Sequence, residues 1–395
     1  MNANGLPLLA LLSATGCVTP ADHASLVRDS AGVRIVVSNS GAWTKADRWT
    51  VAQTPSVSIG TVSGDPVYEL SGVTGAVRLD DGRFVVVNAG TSELRLYDPN
   101  GSYLGSFGRD GEGPGEFRRP AAVLPFADSL LVWDSRLRRM SVFTTAGRFV
   151  RSFRIESAGF TLAGRFADGS LLMHPRLLRP TLEMGDGLRR DLAPYVLYSM
   201  DGDSVGAFTW LGAEVIIRLF EGGGISAATR SLNRQTYAAV TDTSVFVGSN
   251  EAYVIEEYAR DGQLLRSLQR PIAATPVTDA RVAREAEAIA LRLPEERRAS
   301  FRQNWQDMPQ PSALPFYSGL NISADGHLWV KKFSSLGDPN DTWSVFDPSG
   351  RLLGQVELPE GLTLYQVGDD YVLGRWRDDL DVEYIVMYEL VKPQR

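Results

Sequence analysis

Apolar residues along this chain fall in short runs separated by polar turns, and one turn recurs. YDPNGSYLGSF (97–107), FTTAGRFVRSF (143–153), YSMDGDSVGAF (198–208), YARDGQLLRSL (258–268) and FDPSGRLLGQV (346–356) share an aromatic, three residues, a glycine, and apolar residues three and six places later. The aromatic closes one strand, Asp, Asn, Pro and Gly form the turn, and the later apolar residues open a returning strand. Each copy therefore predicts a β-hairpin. A second signal precedes each copy: DDGRFVVVN (80–88), ADSLLVWD (127–134), ADGSLLMH (167–174), TDTSVFVGS (241–249) and ADGHLWVKK (324–332). These are polar turns leading into β-rich runs. Further candidate strands lie upstream, at Gly75–Leu79, Ala121–Pro125 and Leu320–Ser323. One unit is thus four antiparallel strands, the pattern of a β-propeller blade.

A sixth unit is incomplete. Strands are expected at Leu364–Val367, Tyr371–Leu373 and near Tyr384–Leu390, after which the chain stops. PSVSIGTVSGDPVYEL (55–70) resembles LGSFGRDGEGPGEF (104–117), which reads as an outer strand plus a crossover. Pro55–Gly60 is therefore expected to supply the missing outer strand and close the ring, leaving no open first or last blade. The expectation is an all-β chain: a six-bladed β-propeller of four-stranded antiparallel blades over 31–395. A helical insertion at 277–308 interrupts it between blades four and five. There Val282, Ala286, Ile289 and Leu293 recur at helical spacing, followed by Pro294-Glu295-Glu296 and by Phe301, Trp305 and Met308. Two amphipathic helices fit, either packed on one face or lying as a lid over the channel.

DSAGVRIVVSN (29–39), LDDGRFVVVNAG (79–90), GRDGEGPGEF (108–117) and DGHLWV (325–330) resemble bacterial six-bladed β-propeller proteins with NHL-like repeats, many of them of predicted lipoprotein type. The likeness implies a fold and transfers no catalytic residue. LPLLALL (6–12) is a short apolar run followed by Ser13, Ala14, Thr15 and Gly16, and Gly16-Cys17 is similar to a lipobox, although Ala14 stands where Leu is usual. Residues 1–17 read as a signal peptide with Cys17 as the lipidation candidate, and 18–30 as a tether. An exported protein of the periplasm or outer membrane is expected, touching the membrane only through this anchor.

Charge and composition narrow the chemistry. Forty Lys and Arg against 47 Asp and Glu give a net charge of −7, the wrong sign for a nucleic-acid partner. One cysteine excludes an internal disulfide, and His23, His174 and His327 are few for a histidine-built metal site. No GxSxG, HExxH or Walker sequence occurs. The loops leaving the second strands begin at Asn88, Asp134, His174, Ser249, Lys332 and Arg375, with Trp376 adjacent, and converge on one channel mouth as candidate ligand-binding residues. The competing reading is that they satisfy loop backbones. The basic pairs Arg118-Arg119, Arg138-Arg139 and Arg189-Arg190 read as solvated surface or local ion pairs. The expected function is a monomeric, non-catalytic binding or protein-interaction module of the cell envelope, with no cofactor. The alternative is a metal-dependent hydrolase or lactonase using a divalent cation on Asn88, Asp134 and Asn250, side chains of the type that hold a metal in lactonase-like propellers.

Overall fold

The structure, a computed structural model, describes residues 25–156, 159–176, 181, 184–220, 224–229, 232–306, 308–335 and 341–393. Residues 1–24, and with them the signal, Cys17 and His23, lie outside the described residues.

Each glycine of the repeated motif has the left-handed backbone its turn needs: φ is 86° at Gly101, 82° at Gly147, 91° at Gly202 and Gly262, and 88° at Gly350. In every copy the glycine N–H donates to the carbonyl three residues back, as from Gly101 to Asp98. A register shift falls at or beside each motif aromatic, the usual bulge that follows a turn ending in a left-handed glycine. The repeated signal is thus the hairpin joining the third and fourth strands of each sheet.

Four-stranded antiparallel sheets follow in chain order. The first is Val73–Arg78, Phe84–Asn88, Glu93–Tyr97 and Tyr103–Phe107. The second is Pro120–Phe126, Ser129–Asp134, Arg139–Thr144 and Phe149–Arg154. The third is Phe160–Arg165, Leu171–Pro175, Leu192–Tyr198 and Ser204–Leu211. The fourth is Thr236–Val240, Ser244–Ser249, Val254–Ala259 and Leu264–Gln269. The fifth is Tyr317–Ile322, Leu328–Lys332, Asp341–Phe346 and Leu352–Leu358. The sixth is Thr363–Val367, Tyr371–Arg377 and Glu383–Val391, completed by Val57–Ile59 from the other end of the chain.

The first strands touch one another in this order, and that of the sixth sheet returns to that of the first. Between successive sheets lies a separate apolar cluster: Leu94, Phe117 and Phe143 between the first two, Trp329, Trp343 and Val386 between the fifth and sixth, and Ile59, Tyr97 and Leu373 between the sixth and the first. The remaining three interfaces are filled in the same way. The core is therefore a circle of wedges around a channel, the architecture of a β-propeller.

Closure occurs where the sequence places it. Ile59, Ser58 and Val57 pair with Ile385, Val386 and Met387, and Thr50–Val51 pairs with Leu390–Val391. Burying Ile59 completely contributes roughly 1.5–3 kcal/mol at the seam. The tether expected over 18–30 needs correction, because Ser25–Ser30 is a strand. It forms a hairpin with Val33–Ser38, which lies parallel to Leu264–Gln269 on the outer edge of the fourth sheet. Ala42 and Trp43 then donate to the Leu352 and Leu353 carbonyls of the fifth sheet. The N-terminal segment is a belt across three sheets in succession.

Two elements stand outside the ring. A three-stranded sheet, Gly187–Arg189, Val215–Leu219 and Ile225–Ala228, had no counterpart in the sequence reading. Helices α1 (Asp279–Ala290) and α2 (Glu295–Gln306) form the insertion between the fourth and fifth sheets. Its base is stapled by Val277 N–H to Ser312 and Leu314 N–H to Thr275. Thr278 caps α1 by accepting from the Arg281 N–H.

Candidate functional site

Asn88, Asp134, Ser249 and Lys332 end second strands, and His174, Arg375 and Trp376 lie one or two positions before the end of theirs, so the topology brings all seven to one end of the ring. Their side chains do different work. Asp134 is fully buried and accepts four backbone N–H groups: Arg118 (2.7 Å) and Arg119 (2.9 Å) on Oδ2, Arg136 (2.9 Å) and Leu137 (2.8 Å) on Oδ1. Asn88 Oδ1 accepts from Ser71 N–H at 2.7 Å, while its amide donates to Thr91 Oγ1. Asn250 Oδ1 accepts from Gln235 N–H at 2.8 Å, and its amide donates to the Asn233 carbonyl. All three pin the incoming crossover to the turn that follows the second strand.

A carboxylate offers about four lone-pair directions, and Asp134 has all of them engaged. Asp134 therefore has no uncommitted lone pair to offer a metal, while Asn88 and Asn250 each spend one on a backbone N–H. Among the described residues, no group of three or more His, Cys, Asp and Glu side chains is placed to hold a metal ion.

Ser249 and Arg375 tie neighbouring sheets together. Arg190 donates to Ser249 Oγ (2.9 Å) and to the Gly212 carbonyl (3.0 Å), and pairs with Glu251 at 3.1 Å. Arg375 donates to the Val73 carbonyl at 2.7 Å, while Glu383, nearly fully buried, accepts the Val73 N–H and pairs with Arg375 and Arg377. Trp376 packs on Tyr384, with ring centroids 5.6 Å apart. The His174 ring stacks on Tyr195 at 4.8 Å, and burial holds its pKa below the ordinary histidine range. Lys332 alone among the seven is exposed and lines an open cavity of about 410 Å³, beside Arg270, Arg281 and Phe316.

His327 belongs to the opposite end of the sheets. It pairs with Asp325, which also accepts from Ser323 and Lys392, and its ring meets Trp49 at 5.0 Å. Burial alone would raise the Asp325 pKa. The hydrogen bonds from His327, Lys392 and Ser323 outweigh that and hold it well below the usual carboxylate range.

The basic pairs are less superficial than their composition implied. Arg118 does form surface ion pairs, with Asp110 and Glu112. Arg139, however, donates to the carbonyls of Glu112, Gly113 and Glu116 in the crossover after the first sheet. Arg95 does the same to Pro66, Val67 and Glu69 in the crossover before it. The sequence reading missed both clamps. The likeness of 55–70 to 104–117 was the available signal, since equivalent crossovers need equivalent anchors.

A cavity of about 640 Å³ lies in the channel at the end opposite the candidate residues, where the first strands finish. Its wall is backbone and small side chains, with Tyr365, Gln366 and one ion pair. Arg165 reaches Asp242 at 3.3 Å and is held by the Pro125 and Phe166 carbonyls. Gln366 bridges to the N–H and carbonyl of Arg78, closing the sixth sheet onto the first inside the channel. Burial pushes the Tyr365 hydroxyl pKa up to about 12, so it remains a neutral donor, bonded to the Val73 carbonyl.

No family model and no curated protein sequence matches the chain. Solved structures do. A provisionally named exported protein of Bacteroides fragilis superposes with a TM-score of 0.53 at 12% identity, covering 91% of this chain and 100% of that one. A DUF4221 family member from Bacteroides vulgatus gives 0.50 at 8% identity, covering 88% and 100%. At these identities the likeness concerns the fold alone. No helix among the described residues is long and apolar enough to cross a membrane.

Proposed function

We propose that this protein is a non-catalytic binding module of the cell envelope, monomeric and of the NHL-like propeller type, exported and anchored by a lipid on Cys17. The observation that carries the reading is the engagement of the polar mouth residues. Asn88, Asp134 and Asn250 have their oxygens turned to backbone N–H groups, and Ser249 and Arg375 are bound across sheet boundaries. A general base or metal ligand needs an uncommitted lone pair directed at the reacting group. What the ring offers is a rigid frame with cavities walled mostly by neutral groups and exposed loops around them, which suits recognition. The address rests on Gly16-Cys17 after the apolar run 6–12, and loss of the protein from the membrane fraction in Cys17→Ser tests it.

The experiment that separates this reading from the metal-dependent hydrolase is thermal unfolding in Ca²⁺ or Mn²⁺. A ligand that binds only the native state raises stability as its concentration passes its Kd. The binding module shows the same Tm in millimolar Ca²⁺, Mn²⁺ or EDTA. A rise of several degrees that EDTA reverses would overturn it in favour of the hydrolase.

A further inference from the structure

Under α1, at the mouth where the second strands end, lies a partly open pocket of about 290 Å³ separate from the channel cavity. Its wall holds one charged group. Glu285, on the inward face of α1, is 3% exposed, and its Oε2 has no hydrogen-bond partner. Neutral groups surround it: Tyr237 and Ser318 from the first strands of the fourth and fifth sheets, Ser334, the amides Asn233 and Asn250, and the apolar Ile289 and Phe333. Ser318 is brought there by a bulge between Tyr317 and Gly319, the kind of irregularity that re-aims a side chain.

Leaving one oxygen of a buried carboxylate without a partner is costly, and buried charges are normally paired or bound to a cation. The neutral wall does not suit a divalent ion, since calcium takes six to eight oxygens and magnesium a strict octahedron, usually with several carboxylates or waters. It does suit an ammonium group. Such a group carries three N–H donors for Glu285 and the hydroxyls of Tyr237, Ser318 and Ser334, while Ile289 and Phe333 can pack on a short alkyl chain. The volume, at the lower edge of ligand pockets, limits the ligand to a small molecule.

We propose that this pocket is a binding site for a small primary amine in its ammonium form, with Glu285 as the counter-ion. Asn250, already bonded to the Gln235 N–H and the Asn233 carbonyl, is shared with the mouth described above, but the proposal rests on Glu285 and not on the proposed function, so either can fail without the other.

The test uses the full chain with n-butylamine hydrochloride as probe, n-butanol as its neutral counterpart and sodium chloride at matched ionic strength. Saturable stabilisation by butylamine alone is expected in thermal unfolding, with binding at least tenfold weaker in Glu285→Gln, which keeps the shape and removes the charge. Ile289→Trp, which fills the space from the same helix, is expected to abolish binding while retaining Glu285. Circular dichroism of both variants confirms that each is folded. Equal responses to butylamine and butanol, equal responses to butylamine and sodium chloride, or undiminished binding in Glu285→Gln would overturn the proposal.

Discussion

Asp134 shows how a residue can have the chemistry of a catalytic or metal-binding group and do something else. Its two oxygens hold the turn at 135–137 and the crossover at 118–119 against the end of one strand. Removing a buried acceptor leaves its donors unsatisfied, at about 1–3 kcal/mol each where water cannot reach them. Asp134→Ala is therefore expected to lower unfolding stability by about 3 kcal/mol or more, read from the denaturant midpoint at constant slope. Asp134→Asn, which keeps one acceptor oxygen, is expected to lose less. The position of this aspartate was legible, because a continuous apolar strand run, Leu130 to Trp133, ends on it. Its role was not, although an aspartate two residues before a turn N–H is a recognised turn former. The N–H donors to Oδ2 lie 16 and 15 residues upstream, and no local pattern reports them. The same holds for Arg95 and Arg139, whose partners are backbone carbonyls with no side-chain signature.

At the scale of elements, the hairpins were the most legible feature because a left-handed turn residue demands glycine and the flanking strands demand apolar alternation. Gly202 shows how firmly the demand is set. Its φ is 91°, and a Cβ there would stand 2.2 Å from the Arg154 carbonyl oxygen of the neighbouring sheet. Left-handed backbone costs a side-chain-bearing residue about 1–2 kcal/mol, and overpacking a close contact costs about 1–3 kcal/mol more. Gly202→Ala is expected to lose the sum. Gly32→Ala, at φ 81° with no atom within 4 Å, is expected to lose only the first part; equal losses in calorimetry would contradict the packing argument. The inner strands were placed to within a few residues: Gly75–Leu79 was expected and Val73–Arg78 is found. Their early bulges shift the visible alternation. The hairpin Ser25–Ser38 was readable from Ala31-Gly32 between Asp29-Ser30 and VRIVVS, yet its polar first strand suggested a tether. The three-stranded outer sheet was not readable, since its strands are short, carry no repeat motif and pair across long separations.

At the scale of the whole molecule, the ring is held by six separate cores and by one seam, and the seam joins residues more than 300 positions apart. The seam was legible only through internal repetition: an unfinished last unit and a surplus strand near the beginning. The belt through residues 25–51 extends that logic, because each stretch covers an outer edge that would otherwise be open to pairing. The site was less legible than the ring. Sequence order assigns residues to a mouth, whereas the direction of their hydrogen bonds and the roof supplied by α1 arise from contacts across sheets.

The seam is tested most directly by native-state hydrogen exchange at two amides near the beginning of the chain. Ala52 N–H donates to the Glu389 carbonyl at 3.0 Å and Ser56 N–H to that of Met387 at 2.7 Å. If N- and C-terminal strands close the ring, both amides exchange only through large-scale unfolding, with protection comparable to the amides of Leu373 and Val386. Exchange of Ala52 and Ser56 at the rate of an unstructured chain, with the remaining sheets still protected, would contradict the closed ring.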